Sequence, residues 1–144
     1  MINLRSRYGA LTVAVLTMAV ICLIPAFVQA EAQLLKADIP FDFYVGSQKL
    51  PAGQYTVTRL ADPALLRIFD GNGHVSVTMS TEVYNRPGAP GGKLIFNRYG
   101  DQNFLCEVRW LEGASGRQLV PSSLEARIAK NRSAEKVFAT TNNR

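Results

Sequence analysis

Hydrophobic and polar residues alternate with a period of two along most of this chain. At residues 39–45, Ile39, Phe41, Phe43 and Val45 occupy every second position. Because successive side chains of a β-strand point to opposite faces, this pattern predicts a strand with one apolar face. Pro40 lies inside it and has no backbone N–H to donate, which predicts an edge position or a bulge there.

Further alternating segments follow, and turn residues separate them. The chain turns at Gly46-Ser47 and 50–53, and Asp70-Gly71-Asn72-Gly73 is a strong hairpin signal. The strands predicted after the first lie at 55–60, 64–69, 75–83, 93–99 and 103–111. Residues whose alternating phase is apolar should face inward; they are Ile39, Phe41, Phe43, Val57, Val77, Phe96, Phe104, Cys106, Val108 and Trp110.

Near the C terminus the pattern becomes helical. Ser122 lies three residues before Glu125, the spacing of a capping box, and Leu124 and Ile128 are four residues apart. We predict a short helix at about 123–131 and a frayed tail at 140–144. Strands followed by one helix predict an all-β fold, an antiparallel β-sandwich or small barrel of about six to eight strands with a short C-terminal helix.

The strands at 93–99 and 103–111 allow two registers. A two-residue loop at Gly100-Asp101 would place Ile95 opposite Cys106, whereas a three-residue loop at 100–102 places Phe96 there. The longer loop also brings Leu94 opposite Val108. Because it joins apolar faces on both strands, we predict the loop of odd length.

The first thirty residues have the pattern of an export signal. Arg5 and Arg7 precede an uncharged apolar run at 11–28, and Val28-Gln29-Ala30 ends it with residues typical of a cleavage site. An uncleaved anchor is the alternative, since the run approaches the roughly 18 residues that span a membrane. We predict a signal peptide at 1–30, a single domain at 31–139, export to the periplasm or the extracellular space, and no stable membrane span after cleavage.

Composition limits the functions of the exported part. Removal of residues 1–30 takes away two of 16 basic residues and none of the 11 acidic ones, which leaves a net charge of +3. The basic residues are scattered, so we expect no nucleic-acid partner. Cys106 is then the only cysteine, so an internal disulfide is excluded. A single histidine, His74, offers too few ligands for a metal site, and we expect neither metal nor cofactor.

Catalytic patterns are sparse as well. We expect His74 to be an exposed turn residue and Cys106 to be a buried, unreactive thiol. A binding or structural module is therefore favoured over an enzyme, with an unknown envelope protein, a glycan or a small ligand as its partner. Two alternatives remain open: a periplasmic hydrolase with a dispersed site near His74, and a carrier with an apolar cavity inside a barrel.

Three segments of the chain resemble a family of small exported proteins that is commonest in acidobacterial genomes. They are Pro40-Phe41-Asp42-Phe43-Tyr44-Val45-Gly46, Leu50-Pro51-Ala52-Gly53-Gln54-Tyr55-Thr56-Val57 and Phe96-Asn97-Arg98-Tyr99-Gly100-Asp101-Gln102-Asn103-Phe104-Leu105. The resemblance implies export and an all-β fold. It implies no catalytic residue and no assigned function.

The tip of the predicted 93–111 hairpin is the candidate binding surface. It carries Arg98, Tyr99, Asp101 and Gln102. Tyrosine and arginine often anchor interfaces because they combine a large contact area with directed hydrogen bonds. The alternative is ordinary turn chemistry, in which Gly100 supplies the turn torsion and Arg98 pairs with Asp101 on the surface.

The export signal leads to the first testable prediction. The exported protein should begin at Glu31, because the apolar run and the Val-Gln-Ala end direct cleavage after Ala30. N-terminal sequencing of the exported protein measures this. A product that retains Met1 and stays in the membrane fraction would indicate an anchor.

Overall fold

The computed structural model describes residues 34–84, 92–110 and 115–141. The predicted signal peptide and most of the Gly- and Pro-rich segment 86–92 lie outside the described residues. The elements, in chain order, are β1 (Leu34–Ile39), β2 (Phe43–Val45), β3 (Gln48–Leu50), β4 (Gly53–Arg59), β5 (Leu65–Phe69), β6 (Val75–Tyr84), β7 (Lys93–Tyr99), β8 (Gln102–Arg109), β9 (Ser115–Leu119), α1 (Ser123–Ala129) and β10 (Glu135–Thr140).

The strands form a largely antiparallel sheet that is not closed. Its order is β1-β4-β5-β6-β9-β8-β2-β3, and β7 joins β8 to β10. One isolated bridge joins Ala37 of β1 to Thr141, the residue that follows β10. The described residues thus have the predicted all-β, sandwich-like fold with a short C-terminal helix. They contain ten strands, more than the six to eight expected, because the first predicted strand is divided into β1 and β2, and β3, β9 and β10 add to the predicted set.

Pro40 divides the first predicted strand in two. β1 ends at Ile39 and pairs with β4, whereas β2 begins at Phe43 and pairs with β3 and β8. The missing N–H of proline ends the ladder of β1, so the chain is free to cross to another part of the sheet. Phe41 lies in this crossing, and its ring packs edge-on against Phe96 with centroids 5.2 Å apart.

The inward-facing side chains meet in one apolar core. Phe43 lies fully buried in it, and its ring makes edge-to-face contacts with Tyr55 and Phe96 at 5.0 and 5.5 Å. Such contacts stabilise a core beyond the burial of area alone. The prediction of an inward position is confirmed for the members of the core that it named, Ile39, Phe43, Val57, Phe96, Val108 and Trp110, and Phe41 packs against them.

The prediction for Val77 is wrong, because β6 turns its apolar phase outward. Val77 is 53% exposed, whereas Ser76 and Ser80 are buried. The register explains this inversion. Ser76 lies directly opposite Ile68 of β5, and residues that face each other across a ladder share one side of the sheet. Since Ile68 is in the core, the serines of β6 must point inward with it.

The β7–β8 hairpin has a two-residue loop, so the predicted odd loop is wrong. Tyr99 pairs with Gln102, and Gly100 has φ +69°, which suits the first turn position of a hairpin. A bulge at Cys106 then shifts the register by one residue. Beyond it Leu94 pairs with Val108, as predicted, whereas Phe96 pairs with Leu105 instead of Cys106.

The bulge also changes which face of β8 each side chain occupies. Leu105 and Val108 belong to the main core, although they are three residues apart. Phe104 and Cys106 are buried too, but outside that core cluster. The predicted burial of Phe104 and Cys106 is therefore confirmed, but they do not share the face of Val108, because an unpaired residue reverses the alternation.

The chain end is more ordered than predicted, up to residue 141. Thr140 pairs with Lys93 in the β7–β10 ladder, and the Thr141 N–H donates to the carbonyl of Gly92 at 3.0 Å. These backbone hydrogen bonds correct the prediction that fraying begins at 140, since both groups have partners in the sheet. Residues 142–144 lie outside the described part of the chain.

The core and the outward face of β6 lead to a second prediction. Phe43→Ala should lower the free energy of unfolding by about 3–5 kcal/mol, through lost burial and a residual cavity. Val77→Ala, at an exposed position, should change it by no more than about 0.5 kcal/mol. Denaturant unfolding measures both. Similar losses in the two variants would contradict the inversion of β6.

Candidate functional site

The four predicted binding residues lie at the tip of the β7–β8 hairpin, beside α1. Arg98 and Tyr99 end β7, Asp101 is an exposed turn residue, and Gln102 begins β8 half-buried. Asp101 and Gln102 line a surface groove of about 460 Å³ together with residues of α1 and the segment after it. Only part of the tip is therefore presented to solvent.

Arg98 is held by contacts within the fold. Its Nε donates to Oδ1 of Asn103 at 2.8 Å, and its guanidinium carbon lies 5.4 Å from the ring centre of Phe41. Asn103 in turn donates from Nδ2 to the carbonyl of Asp42 at 3.0 Å. The surface pair with Asp101 that turn chemistry would favour is not among the ion pairs of the described residues.

Tyr99 is buried and connects the hairpin to the helix. Its hydroxyl donates to Oε1 of Glu125 at 3.5 Å, and Asn97 Nδ2 donates to the same oxygen at 2.7 Å. Burial and then the charge of Glu125 raise the pKa of Tyr99, so the phenol stays protonated and can donate. Tyr99 is thus a structural contact of α1 as well as a member of the tip.

Glu125 is the buried residue of α1, although the sequence indicated only a capping role for it. The cap itself is confirmed, since Ser122 Oγ accepts from the Glu125 N–H at 3.2 Å. The carboxylate bonds Asn97 and Tyr99 on the hairpin instead of completing the capping box. Sequence reasoning missed this role because a capping Glu ordinarily lies at the surface.

Cys106 lies next to Lys136, which hydrogen-bonds to the same Asn97 that contacts Glu125. The Cys106 thiol donates to the carbonyl of Ile95 at 3.2 Å, and Lys136 Nζ lies 3.4 Å from the sulfur and 2.6 Å from Asn97 Oδ1. Burial raises the pKa of the thiol despite the opposing effect of Lys136. A protonated, buried thiol is a poor nucleophile, which agrees with the unreactive role expected for Cys106.

His74 lies in the β5–β6 turn and contacts Asp70. Its Nδ1 is 2.8 Å from Asp70 Oδ2, while Asp70 Oδ1 accepts from the backbone N–H groups of Asn72 and His74. Burial raises the pKa of Asp70, but these hydrogen bonds outweigh it and the pKa lies below its ordinary value. The carboxylate is thus engaged in forming the turn. No serine, threonine or cysteine among the described residues hydrogen-bonds to His74.

A second cluster of functional groups lies on the inward-facing side of β4, β9 and the end of β8, and sequence reasoning did not find it. It consists of Arg59, Arg117 and Trp110. The guanidinium carbon of Arg59 lies 5.2 Å from the ring centre of Trp110, and Arg117 is buried. The signal was present in the sequence, because Arg59 continues the inward phase of Tyr55 and Val57. We refer to these three residues as the arginine cluster.

Comparisons of the chain with protein-family models, with curated proteins and with solved structures find no match. Within the described residues, no group of three or more histidine, cysteine or acidic side chains could hold a metal ion. Among the same residues, no helix has the length and apolar character needed to cross a membrane. The surfaces of the molecule are therefore the basis for proposing a function.

The contact between α1 and the hairpin leads to a third prediction. Glu125→Ala should lower the free energy of unfolding by about 1–3 kcal/mol, because Asn97 and Tyr99 lose their buried acceptor. Arg127→Ala, at an exposed position of the same helix, is the matched control and should change it by less than about 0.5 kcal/mol. Thermal or denaturant unfolding measures both, and equal stabilities of the two variants would rule out the anchoring role.

Proposed function

We propose that this chain is an exported β-domain that works as a binding or assembly module in the periplasm or outside the cell. The observation that carries the proposal is a group of outward-facing, mostly apolar side chains on two adjacent strands, in which Val75, Val77 and Met79 are exposed. We call it the β5–β6 face; its members are Leu65, Arg67, Phe69, Val75, Val77 and Met79.

The ladder between β5 and β6 brings these side chains together. Leu65 lies opposite Met79, Arg67 opposite Val77, and Phe69 opposite Val75. Residues directly opposite in an antiparallel ladder share a face, so the six side chains form one continuous patch. Val77 and Met79 are 53% and 64% exposed. Contiguous apolar surface of this kind is typical of interaction sites, whereas single exposed apolar residues are ordinary.

The composition of the face favours a protein partner. Arg67 lies over the ring of Phe69, with its guanidinium carbon 4.8 Å from the ring centre. Aromatic residues, methionine and arginine are enriched at the centres of protein interfaces. β6 pairs with β5 along residues 75–79 and with β9 along residues 80–84. The exposed feature of the face is its side chains, so we expect docking to use them.

Export places such a face where it can meet an envelope partner. The pattern of residues 1–30 supports export, and the resemblance to a family of small exported proteins agrees with it. The two alternatives have less support. A hydrolase at His74 needs a second reacting group, and the inner side chains that would line a carrier cavity pack against one another in the core.

A fourth prediction tests the face. A photo-cross-linking amino acid at position 77, in cells that export the protein, should give a discrete adduct with one partner protein or with a second copy of the chain. The same amino acid at Ser47, an exposed turn residue, is the control and should not. Met79→Lys should abolish the adduct and leave the melting temperature unchanged, because a charge at the centre of an interface opposes docking.

Equal adducts at positions 77 and 47, or none at either, would contradict the proposed role of the face. Mass spectrometry of the adduct identifies the partner and separates assembly with another protein from self-association.

A further inference from the structure

The arginine cluster lies at the margin of the apolar core, where the inward-facing positions of three chain segments come together. Arg59 follows Tyr55 and Val57 on β4, Trp110 follows Val108 after β8, and Arg117 precedes Leu119 on β9. Each of the preceding or following residues named here is buried in the core. Two cationic side chains therefore occupy positions at which the alternation would ordinarily place apolar ones.

Several donors of the cluster have no acceptor. Nε and Nη2 of Arg59 and Nε1 of Trp110 are buried and make no hydrogen bond within the part of the chain that the structure describes. Nε–H and Nη2–H point outward along the same edge of the planar guanidinium and form its side-on fork. That fork matches the two oxygens of a carboxylate or phosphate group. Buried polar groups without a partner are uncommon in native proteins, so these three need an explanation.

Within the described residues neither arginine of the cluster forms an ion pair, although the exposed Glu82 lies opposite Arg117 in the β6–β9 ladder. Arg117 is 7% exposed, and its Nε donates to Ser80 Oγ at 3.2 Å. Ser80 donates its own proton to the carbonyl of Ala64 and remains neutral. Burial and then the like charge of Arg117 hold the pKa of Arg59 below its ordinary value, with Glu82 opposing them only from the exposed surface.

Stacking on Trp110 accounts for only part of this arrangement. A guanidinium over an indole ring is stabilised by the negative face of the ring. That contact uses the flat face of Arg59, whereas the fork of N–H groups lies in the guanidinium plane. The stack therefore does not supply a hydrogen-bond acceptor to the N–H groups of the fork.

We propose that Arg59, Arg117 and Trp110 form a binding site for an oxyanion, that is, for the carboxylate, phosphate or sulfate group of a small ligand. An oxyanion supplies what the cluster lacks, a negative charge and oxygen atoms that only accept hydrogen bonds. A neutral ligand would satisfy the donors but would leave the buried charge of Arg117 and the half-buried charge of Arg59 without an ion-pair partner. The site is separate from the β5–β6 face, because its residues continue the inward-facing phases.

Tryptophan fluorescence can follow ligand binding at this site, because Trp110 is the only tryptophan of the chain. The protein should be titrated with sodium phosphate, sulfate and acetate at constant ionic strength, with chloride as the reference ion. We expect a saturable change in tryptophan emission and a concentration-dependent rise of the melting temperature with at least one of the three. Acetate distinguishes a carboxylate site from a site for tetrahedral anions.

Three variants assign the response to the cluster. Arg59→Gln and Arg117→Gln should each weaken anion binding by about tenfold or more, since each removes a charge and hydrogen-bond donors. Arg67→Gln is the matched control, because Arg67 also stacks on an aromatic ring but is exposed on the β5–β6 face, and it should bind as the wild type does. If Arg59→Gln does not fold, Arg59→Lys keeps the charge, loses the fork, and should still weaken binding.

The proposal would be overturned if none of the three anions gave a saturable response in the wild type, or if Arg59→Gln and Arg67→Gln weakened binding equally. Glu112, outside the described residues and two positions after Trp110, provides a further variant. A response that appeared only in Glu112→Gln would mean that the chain's own carboxylate fills the fork, and it would overturn the proposal as well.

Discussion

β8 is buried on both faces, and the bulge at Cys106 decides which of its side chains faces which layer. Asn103, Phe104, Leu105 and Cys106 are consecutive buried residues. The unpaired Cys106 lets Leu105 and Val108 face the main core, while Phe104 faces Tyr44 and Tyr99 on the other side. An extra residue in one strand costs a ladder hydrogen bond but reorients every side chain beyond it. With strict alternation Leu105 and Val108, three residues apart, would face opposite layers.

The buried polar groups of the two layers differ in whether they have hydrogen-bond partners. On the helix side, Glu125 accepts from Asn97 and Tyr99, and Lys136 donates to Asn97. A network whose members have partners makes a specific structural contact. In the arginine cluster, Arg59 and Trp110 have buried donors for which the described part of the chain provides no acceptor. The difference between satisfied and unsatisfied groups is what separates a contact of the fold from a candidate ligand site, although both combine burial with charge.

The inversion of β6 connects the core with the proposed docking face. Leu66 and Ile68 of β5 fill the core, so the residues opposite them on β6, Thr78 and Ser76, must point inward. Ser80 then accepts a hydrogen bond from Arg117 on the inward-facing side of the sheet. Val75, Val77 and Met79 face outward. One choice of register therefore creates the apolar outer row and places a small hydroxyl beside the arginine cluster.

The sequence by itself determined the strand-rich class, the turns at Gly46-Ser47 and 70–73, the helix cap at Ser122 and most of the core, because these depend on local torsions and on a period of two. It also located the hairpin tip, but not the packing of Tyr99 against Glu125. Tertiary structure decided which face of β6 is inward, where the bulge of β8 lies, and that Arg59 meets Trp110 and Arg117. These features depend on which strands pair and in what register, and alternation along one strand defines two faces without saying which of them the partner strand will bury.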